Sequence, residues 1–137
     1  MDFGLLVLDT NYYSALAKKD VSVNSLIRNS EEIALPHTVI GELLGGFHYG
    51  SQFDKNYNDL KRLLAKPTCR VLMPSIETAN TYGRLYADLK KRGKMIPTND
   101  IWIAALTIEY EGTLATYDKH FSFIQGIKIV SSSHSKD

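Results

Sequence analysis

Five short, mainly apolar runs, separated by segments with helical periodicity, constrain the fold of this 137-residue chain more than any other feature. They occupy residues 5–8, 33–35, 71–73, 114–116 and 127–130. Apolar runs of this length are typical of strands that are buried on both faces of a parallel sheet. Because strands that alternate with helices are joined by right-handed crossovers, the pattern predicts an α/β fold. We expect a three-layer α/β/α sandwich around a central parallel sheet of about five strands.

The segments between these strands predict the helices and their ends. Helices are expected over residues 12–19, 21–29, 39–49, 53–64, 75–92 and 98–112. Thr38 and Thr98 are predicted N-caps, since a threonine hydroxyl can accept a hydrogen bond from a free backbone N–H. Gly93 is the predicted end of the helix over residues 75–92. The buried face of that helix is predicted to consist of Ile76, Ala79, Tyr82, Leu85, Tyr86 and Leu89.

Length and composition predict a single domain over residues 1–130, followed by a polar tail over residues 131–137. A hydrophobic content of 44% and a charged content of 23% indicate neither disorder nor a membrane protein. The net charge of +1 excludes a strongly basic nucleic-acid binder, although a basic groove stays compatible with it. The single cysteine, Cys69, fits a reducing compartment, and the apolar stretch before Asp9 is too short for a signal peptide. We therefore expect a cytoplasmic protein.

Asp100 is an unusual residue because it opens a helix that is otherwise apolar. Every residue from Ile101 to Leu106 is apolar, which predicts a helix that runs through the interior. An acid in the first turn is favoured by the helix dipole. A buried carboxylate nevertheless needs a partner, a hydrogen-bond network or a metal ion, because it would otherwise take up a proton.

Three further acids are expected near Asp100. Asp9 and Asp118 follow predicted strands, and Glu42 lies near the start of a helix that follows one. In open α/β sheets the carboxyl ends of the strands form the functional crevice. Four acids gathered there would repel one another unless divalent cations neutralise them. The histidines, His37, His48, His120 and His134, show no metal-ligand spacing, so hard cations such as Mg²⁺ or Mn²⁺ fit better than zinc. A metal in such a site suggests phosphodiester hydrolysis.

Four motifs carry a resemblance to a known family. They are Leu-Asp-Thr-Asn at 8–11, Gly-Glu-Leu-Leu-Gly-Gly at 41–46, Thr-Asn-Asp-x-x-Ile-Ala-Ala at 98–105 and Thr-x-Asp-x-x-Phe at 116–121. In order and spacing, the chain resembles the PIN-domain nucleases and, more narrowly, the VapC-type toxins of bacterial toxin–antitoxin modules.

The resemblance implies an RNA-cleaving enzyme. Its Mg²⁺ or Mn²⁺ would be bound by Asp9, Glu42, Asp100 and Asp118. Thr10, Asn99 and Thr116 would support the site or position the substrate. The resemblance further implies a homodimer, a small antitoxin protein that covers the site, and structured RNA such as transfer RNA as substrate.

Simpler interpretations stay open for individual residues. Asp100 taken alone would be an acid that complements a helix dipole, and Glu42 would be a solvated helical glutamate. The basic residues at 90–92 and 94 either hold an RNA backbone or form a solvated helix end, and the second interpretation is slightly favoured. Trp102 and Phe121 are interpreted as core residues.

Other functions also stay open for the whole chain. A PIN ribonuclease of RNA maturation and a catalytically silent PIN scaffold are the alternatives within the family. A phosphoacceptor receiver module is disfavoured, because the predicted third strand is followed by Met73, Pro74 and Ser75 and not by the required aspartate.

Overall fold

The central feature of the computed structural model is a parallel sheet; the structure describes residues 3–18 and 21–131. The strands are β1 (Phe3–Leu8), β2 (Ser30–Pro36), β3 (Cys69–Leu72), β4 (Thr113–Ala115) and β5 (Lys128–Val130). They pair in the order β3-β2-β1-β4-β5, with every pair parallel. Val7 in the central strand β1 lies between Ala34 and Leu114 of its neighbours. The α/β fold with a five-stranded parallel sheet is confirmed.

The helices match the predicted segments closely. They are α1 (Thr10–Ala17), α2 (Val21–Arg28), α3 (His37–Tyr49), α4 (Phe53–Leu64), α5 (Ile76–Arg92) and α6 (Thr98–Glu109). A short 3₁₀ helix, Lys119–Phe123, follows β4 and was not predicted. The consecutive residues Leu6, Val7 and Leu8 are fully buried, because helices cover both faces of the sheet. Lys19 and the predicted tail beyond Ser131 lie outside the described residues.

Two predicted helix caps are wrong. Helix α3 already begins at His37 and α6 at Thr98, and the N-cap positions are taken by Pro36 and Pro97, which make no side-chain cap bond. Both prolines have extended backbone angles, with φ near −60° and ψ near 145°. Since the proline ring fixes φ in this region, the helix starts directly after it, and each threonine falls inside the first turn.

The ends of α5 are as predicted, but its first turn is not. Ser75 caps the helix in a capping box with Thr78, and Gly93 ends it with φ 67°. Ile76, however, is 82% exposed, whereas Thr78 is fully buried. The Thr78 hydroxyl donates a short hydrogen bond to the Glu109 carboxylate at the end of α6. A polar contact between α5 and α6 therefore replaces the expected apolar one in this turn, and Ala79 is also exposed.

Helix α6 runs through the interior, as its apolar sequence predicts. Ile101 and all residues from Ile103 to Thr107 are buried, and Trp102 stacks on Tyr82 of α5 with ring centroids 4.1 Å apart. Phe121 is also fully buried. This packing holds the first turn of α6 at the carboxyl edge of the sheet.

Within residues 3–18 and 21–131, no helix is both long enough and apolar enough to cross a membrane.

Candidate active site

Asp9 lies where β1 ends and α1 begins, and its carboxylate is held from two sides. It is the N-cap of α1, and its Oδ1 accepts a hydrogen bond from the backbone N–H of Thr10 at 2.8 Å. Its Oδ2 accepts one from the hydroxyl of Thr116 at 2.6 Å. Because Thr116 directly follows β4, the two neighbouring strands β1 and β4 bring the acid and its donor to the same edge of the sheet.

Glu42 lies on α3, and its side chain reaches the same edge. Its Oε1 accepts a hydrogen bond from the Thr10 hydroxyl at 2.5 Å. Its Oε2 accepts one from the side-chain amide of Asn99 at 3.2 Å. The carboxylate of Glu42 therefore links the first turns of α1 and α6.

Asp118 is held by the turn that follows β4. Its backbone N–H donates to the hydroxyl of Thr116 at 2.9 Å. Its carboxylate caps the 3₁₀ helix by accepting from the backbone N–H of His120 at 2.8 Å. The ring nitrogen Nδ1 of His120 lies 3.1 Å from the same carboxylate oxygen. Thr116 thus orients two acids at once, Asp9 through its donor and Asp118 through its acceptor.

Asp100 occupies the first turn of α6, with its side chain only 14% exposed. Its Oδ2 lies 4.0 Å from Nδ1 of His120. The carboxylate is close enough to those of Asp9, Asp118 and Glu42 for each to raise its pKa. The structure thus brings together the four acids that the sequence singled out. Thr10 and Asn99 donate hydrogen bonds to the Glu42 carboxylate. Thr116 donates one to the Asp9 carboxylate and accepts one from the backbone N–H of Asp118.

Burial and mutual repulsion disfavour charge on these acids. The pKa of Asp100 is raised to about 6, mainly by burial and further by the acids Asp9, Asp118 and Glu42, while His120 opposes the shift. The pKa of Asp9 is also raised, first by burial and then by Glu42 and Asp118, against the hydrogen bonds from Thr116 and Thr10. A cation bound among these carboxylates would offset both effects.

The expectation of a site without histidine needs correction. One oxygen each of Asp100 and Asp118 and one ring nitrogen of His120 lie within 4.8 Å of one another. The spacing of the histidines along the chain gave no indication of this, because His120 reaches the site through the 3₁₀ turn. The relevant signal was its position two residues after Asp118, where a backbone N–H commonly bonds an aspartate side chain.

The basic residues at the end of α5 contact their own surroundings. Arg92 pairs with Asp88 at 2.7 Å and also donates to the backbone oxygen of Phe123. Lys94 lies over the Phe123 ring, and Lys90 over the ring of Tyr86. These contacts agree with the interpretation of the basic residues as a helix end and not as an RNA-binding run. They also connect the end of α5 to the 3₁₀ helix that carries His120.

Comparison with known families agrees with this arrangement of residues. The sequence model of the PIN domain matches residues 6–126, which include all four acids and His120. The chain belongs to the PIN-domain family. Among curated PIN-domain proteins it is 30% identical to Ribonuclease VapC1 of Haemophilus influenzae over 132 residues, which cover 90% of this chain and 95% of the relative.

Solved structures of VapBC proteins share the fold. The chain superposes on a chain of VapBC2 from Rickettsia felis, solved bound to a DNA fragment from their promoter, with a TM-score of 0.82 and 26% identity. The match covers 93% of this chain and 98% of that one. For DNA-bound VapBC from Salmonella typhimurium the TM-score is 0.84 at 20% identity, with 94% and 98% covered. Within the PIN-domain family, this chain groups with the VapC ribonucleases.

Proposed function

We propose that this protein is a metal-dependent endoribonuclease and the toxin of a toxin–antitoxin module. The observation that carries the proposal is the convergence of Asp9, Glu42, Asp100 and Asp118 at the carboxyl edge of the sheet, where burial and repulsion raise the pKa of Asp100 to about 6. Because the ionised carboxylates are destabilised in this site, a bound cation would stabilise them. PIN-family ribonucleases generally use divalent metal ions, which fits the same conclusion.

The donor set favours Mg²⁺ or Mn²⁺. Carboxylate oxygens are the ligands that hard cations prefer, and Mn²⁺ also accepts an imidazole such as that of His120 more readily than Mg²⁺ does. We assign Asp9, Asp100 and Asp118 to holding the cation, with Glu42 completing the site or orienting the attacking water. A bound cation would screen the charge of the phosphodiester and lower the pKa of a water molecule.

The supporting residues act on the acids. The Thr116 hydroxyl fixes Asp9 and accepts from the backbone of Asp118. Thr10 and Asn99 each donate to a different oxygen of Glu42, so they hold its carboxylate in one orientation. These hydrogen bonds support a site whose carboxylates are positioned before the substrate arrives.

The activity is tested by the variant Asp100→Asn. We expect wild-type protein to cleave RNA with Mg²⁺ or Mn²⁺ and to lose activity with chelator, and we expect Asp100→Asn to be about a thousand-fold less active while it stays folded. Sequencing the 5′ ends of cellular RNA after brief induction of each protein would reveal both the activity and the target, for which structured RNA such as transfer RNA is the first candidate. Equal cleavage by the two proteins would contradict the proposal.

The toxin role predicts a protein partner. The curated relatives are VapC ribonucleases, and the matched Rickettsia structure is a VapBC complex. We therefore propose that a small antitoxin protein binds this chain and covers the site in the cytoplasm. Expression should arrest growth, and co-expression of the partner should relieve it. A PIN ribonuclease of RNA maturation would show neither effect.

We also propose a homodimer. Val71, Met73 and Ile76 lie close together in sequence at the end of the edge strand β3 and the start of α5, with exposures of 41%, 55% and 82%. Grouped exposed apolar side chains beside an edge strand are typical of a protein interface.

A further inference from the structure

A cavity of about 630 Å³ opens beside the acid cluster, between the loop after β4 and the edge strand β5. Its wall includes Tyr117, Lys119, Ser122 and Ile129, and it shares Asp118 with the cluster. The volume lies within the range of roughly 300–1,000 Å³ that is usual for ligand sites.

The wall combines an aromatic ring with an aliphatic side chain, both accessible from outside. Tyr117 is 38% exposed and Ile129 is 40% exposed. The ring of Tyr117 stacks on the fully buried Tyr12, with centroids 4.4 Å apart and an interplanar angle of 23°. Because Tyr12 is part of the core, the ring of Tyr117 is held in a fixed orientation.

We propose that this cavity binds a nucleobase of the RNA strand, next to the phosphodiester that is cleaved, and thereby sets a base preference. The proposal rests on the proposed ribonuclease function. An aromatic ring with a fixed orientation is a stacking platform for a base, and a neighbouring cation such as Lys119 suits the attached phosphate. Since Asp118 borders both the cavity and the acid cluster, a base in the cavity belongs to a nucleotide at the cleaved bond.

A protein segment is the competing occupant of an apolar cavity. The shared Asp118 and the adjacent Lys119 favour RNA, because they place an anion-binding group and a proposed metal ligand on the same rim. The hydroxyl of Ser122 donates to the backbone oxygen of Lys119 at 2.7 Å, which fixes the turn that carries this lysine.

The test measures base preference on an RNA pool with randomised sequence. Wild type and variants are incubated with the pool and Mn²⁺, the new ends are sequenced, and the base frequencies on each side of the cut are compared. We expect wild type to prefer one class of base at one flanking position. Tyr117→Ala should reduce this preference about ten-fold, whereas Tyr117→Phe should retain it, because stacking needs the ring and not the hydroxyl.

A second variant, Ile129→Asp, tests the proposal if Tyr117→Ala fails to fold. It introduces a negative charge at an exposed position of the edge strand β5, and it should also reduce the base preference. Tyr49→Ala is the matched control, since Tyr49 is 95% exposed at the end of α3, about two turns beyond Glu42. This control should leave the preference unchanged, and the Mn²⁺ affinity measured by calorimetry should be the same in wild type, Tyr117→Ala, Tyr117→Phe and Tyr49→Ala.

Each outcome has a separate meaning. Cleavage with an unchanged base preference in both Tyr117→Ala and Ile129→Asp would contradict the binding of a nucleobase in this cavity, and it would leave the nuclease proposal intact. If these variants instead changed the oligomeric state without changing the preference, the cavity would belong to a protein interface, which also overturns the base site. Absence of cleavage by wild type with either metal would overturn the nuclease proposal and the base site with it.

Discussion

At the scale of single residues, hydroxyl groups determine how the acids are arranged. Thr116 is almost fully buried and bonds both Asp9 and the backbone of Asp118. The motif around residue 116 was visible in the sequence. Its hydrogen bond to Asp9 was not, because this bond depends on the pairing of β1 with β4, which brings residues 107 positions apart into contact.

We expect Thr116→Val to weaken both the fold and the site. Valine has nearly the same shape but leaves the Asp9 carboxylate and the Asp118 N–H without their partner, which corresponds to a loss of about 2 kcal/mol in the free energy of unfolding. Mn²⁺ affinity should fall as well, because Asp9 loses its orientation. Urea unfolding and calorimetry measure the two effects, and Thr116→Ser should restore both. Unchanged metal binding in Thr116→Val would contradict this role of the hydroxyl.

The raised pKa of Asp100 predicts how metal-free protein responds to pH. A carboxyl whose pKa is higher in the folded than in the unfolded chain binds its proton more tightly when folded, so its contribution to stability is present below about pH 3.8 and is lost as the pH rises through about 6. With chelator at pH 7.5, Asp100→Asn should therefore be more stable than wild type by about 1–3 kcal/mol.

Urea unfolding from pH 4 to pH 7.5 provides the measurement. The stability difference between Asp100→Asn and wild type should grow with pH in chelator and should disappear or reverse with saturating Mn²⁺, which stabilises only the protein that binds it. Asp54→Asn, on the exposed first turn of α4, is the matched control and should show no such trend. A constant difference across this pH range would show that Asp100 is not destabilised by its neighbours.

At the scale of elements, the positions of the strands and helices could be predicted from the sequence, but the strand order and the first turn of α5 could not. The five strands β1 to β5 and the six α-helices of the described residues were located from apolar runs and helical spacing. The strand order was not, because several crossovers are compatible with one alternating pattern. The first turn of α5 was also missed, since a buried hydroxyl at Thr78 and its acceptor Glu109 leave no periodic signal.

We expect Thr78→Val to destabilise the protein without affecting the site. The change leaves Glu109 and the backbone N–H of Ser75 without the hydroxyl, so the free energy of unfolding should fall by about 2 kcal/mol. Because this contact lies at the opposite end of α6 from Asp100, Mn²⁺ affinity should stay at the wild-type value. A loss of metal affinity comparable to that of Thr116→Val would mean that the two ends of α6 are coupled.

At the scale of the whole molecule, the proposed dimer depends on an apolar patch that the folded chain leaves uncovered. We expect Ile76→Lys to shift the protein towards monomer, because the exposed isoleucine would be replaced by a charge that must be desolvated on association. Light scattering over a range of concentrations measures the state. Tyr49→Lys, at another fully exposed position, should leave it unchanged, and a dimer of equal affinity in Ile76→Lys would exclude this patch as the interface.

The position of each acid relative to a helix start predicts a different genetic consequence of its loss. Asp9 caps α1 and Asp118 caps the 3₁₀ helix, whereas Asp100 lies inside a turn that Pro97 begins. We expect Asp9→Ala to remove a helix cap together with the proposed activity, whereas Asp100→Asn should leave a folded chain without that activity. Under the proposed toxin–antitoxin function, such a chain would still bind the proposed antitoxin, and in a cell with a second, wild-type copy it would release active toxin. An inactive allele at Asp100 should therefore be dominant and harmful, while one at Asp9 should be recessive and tolerated.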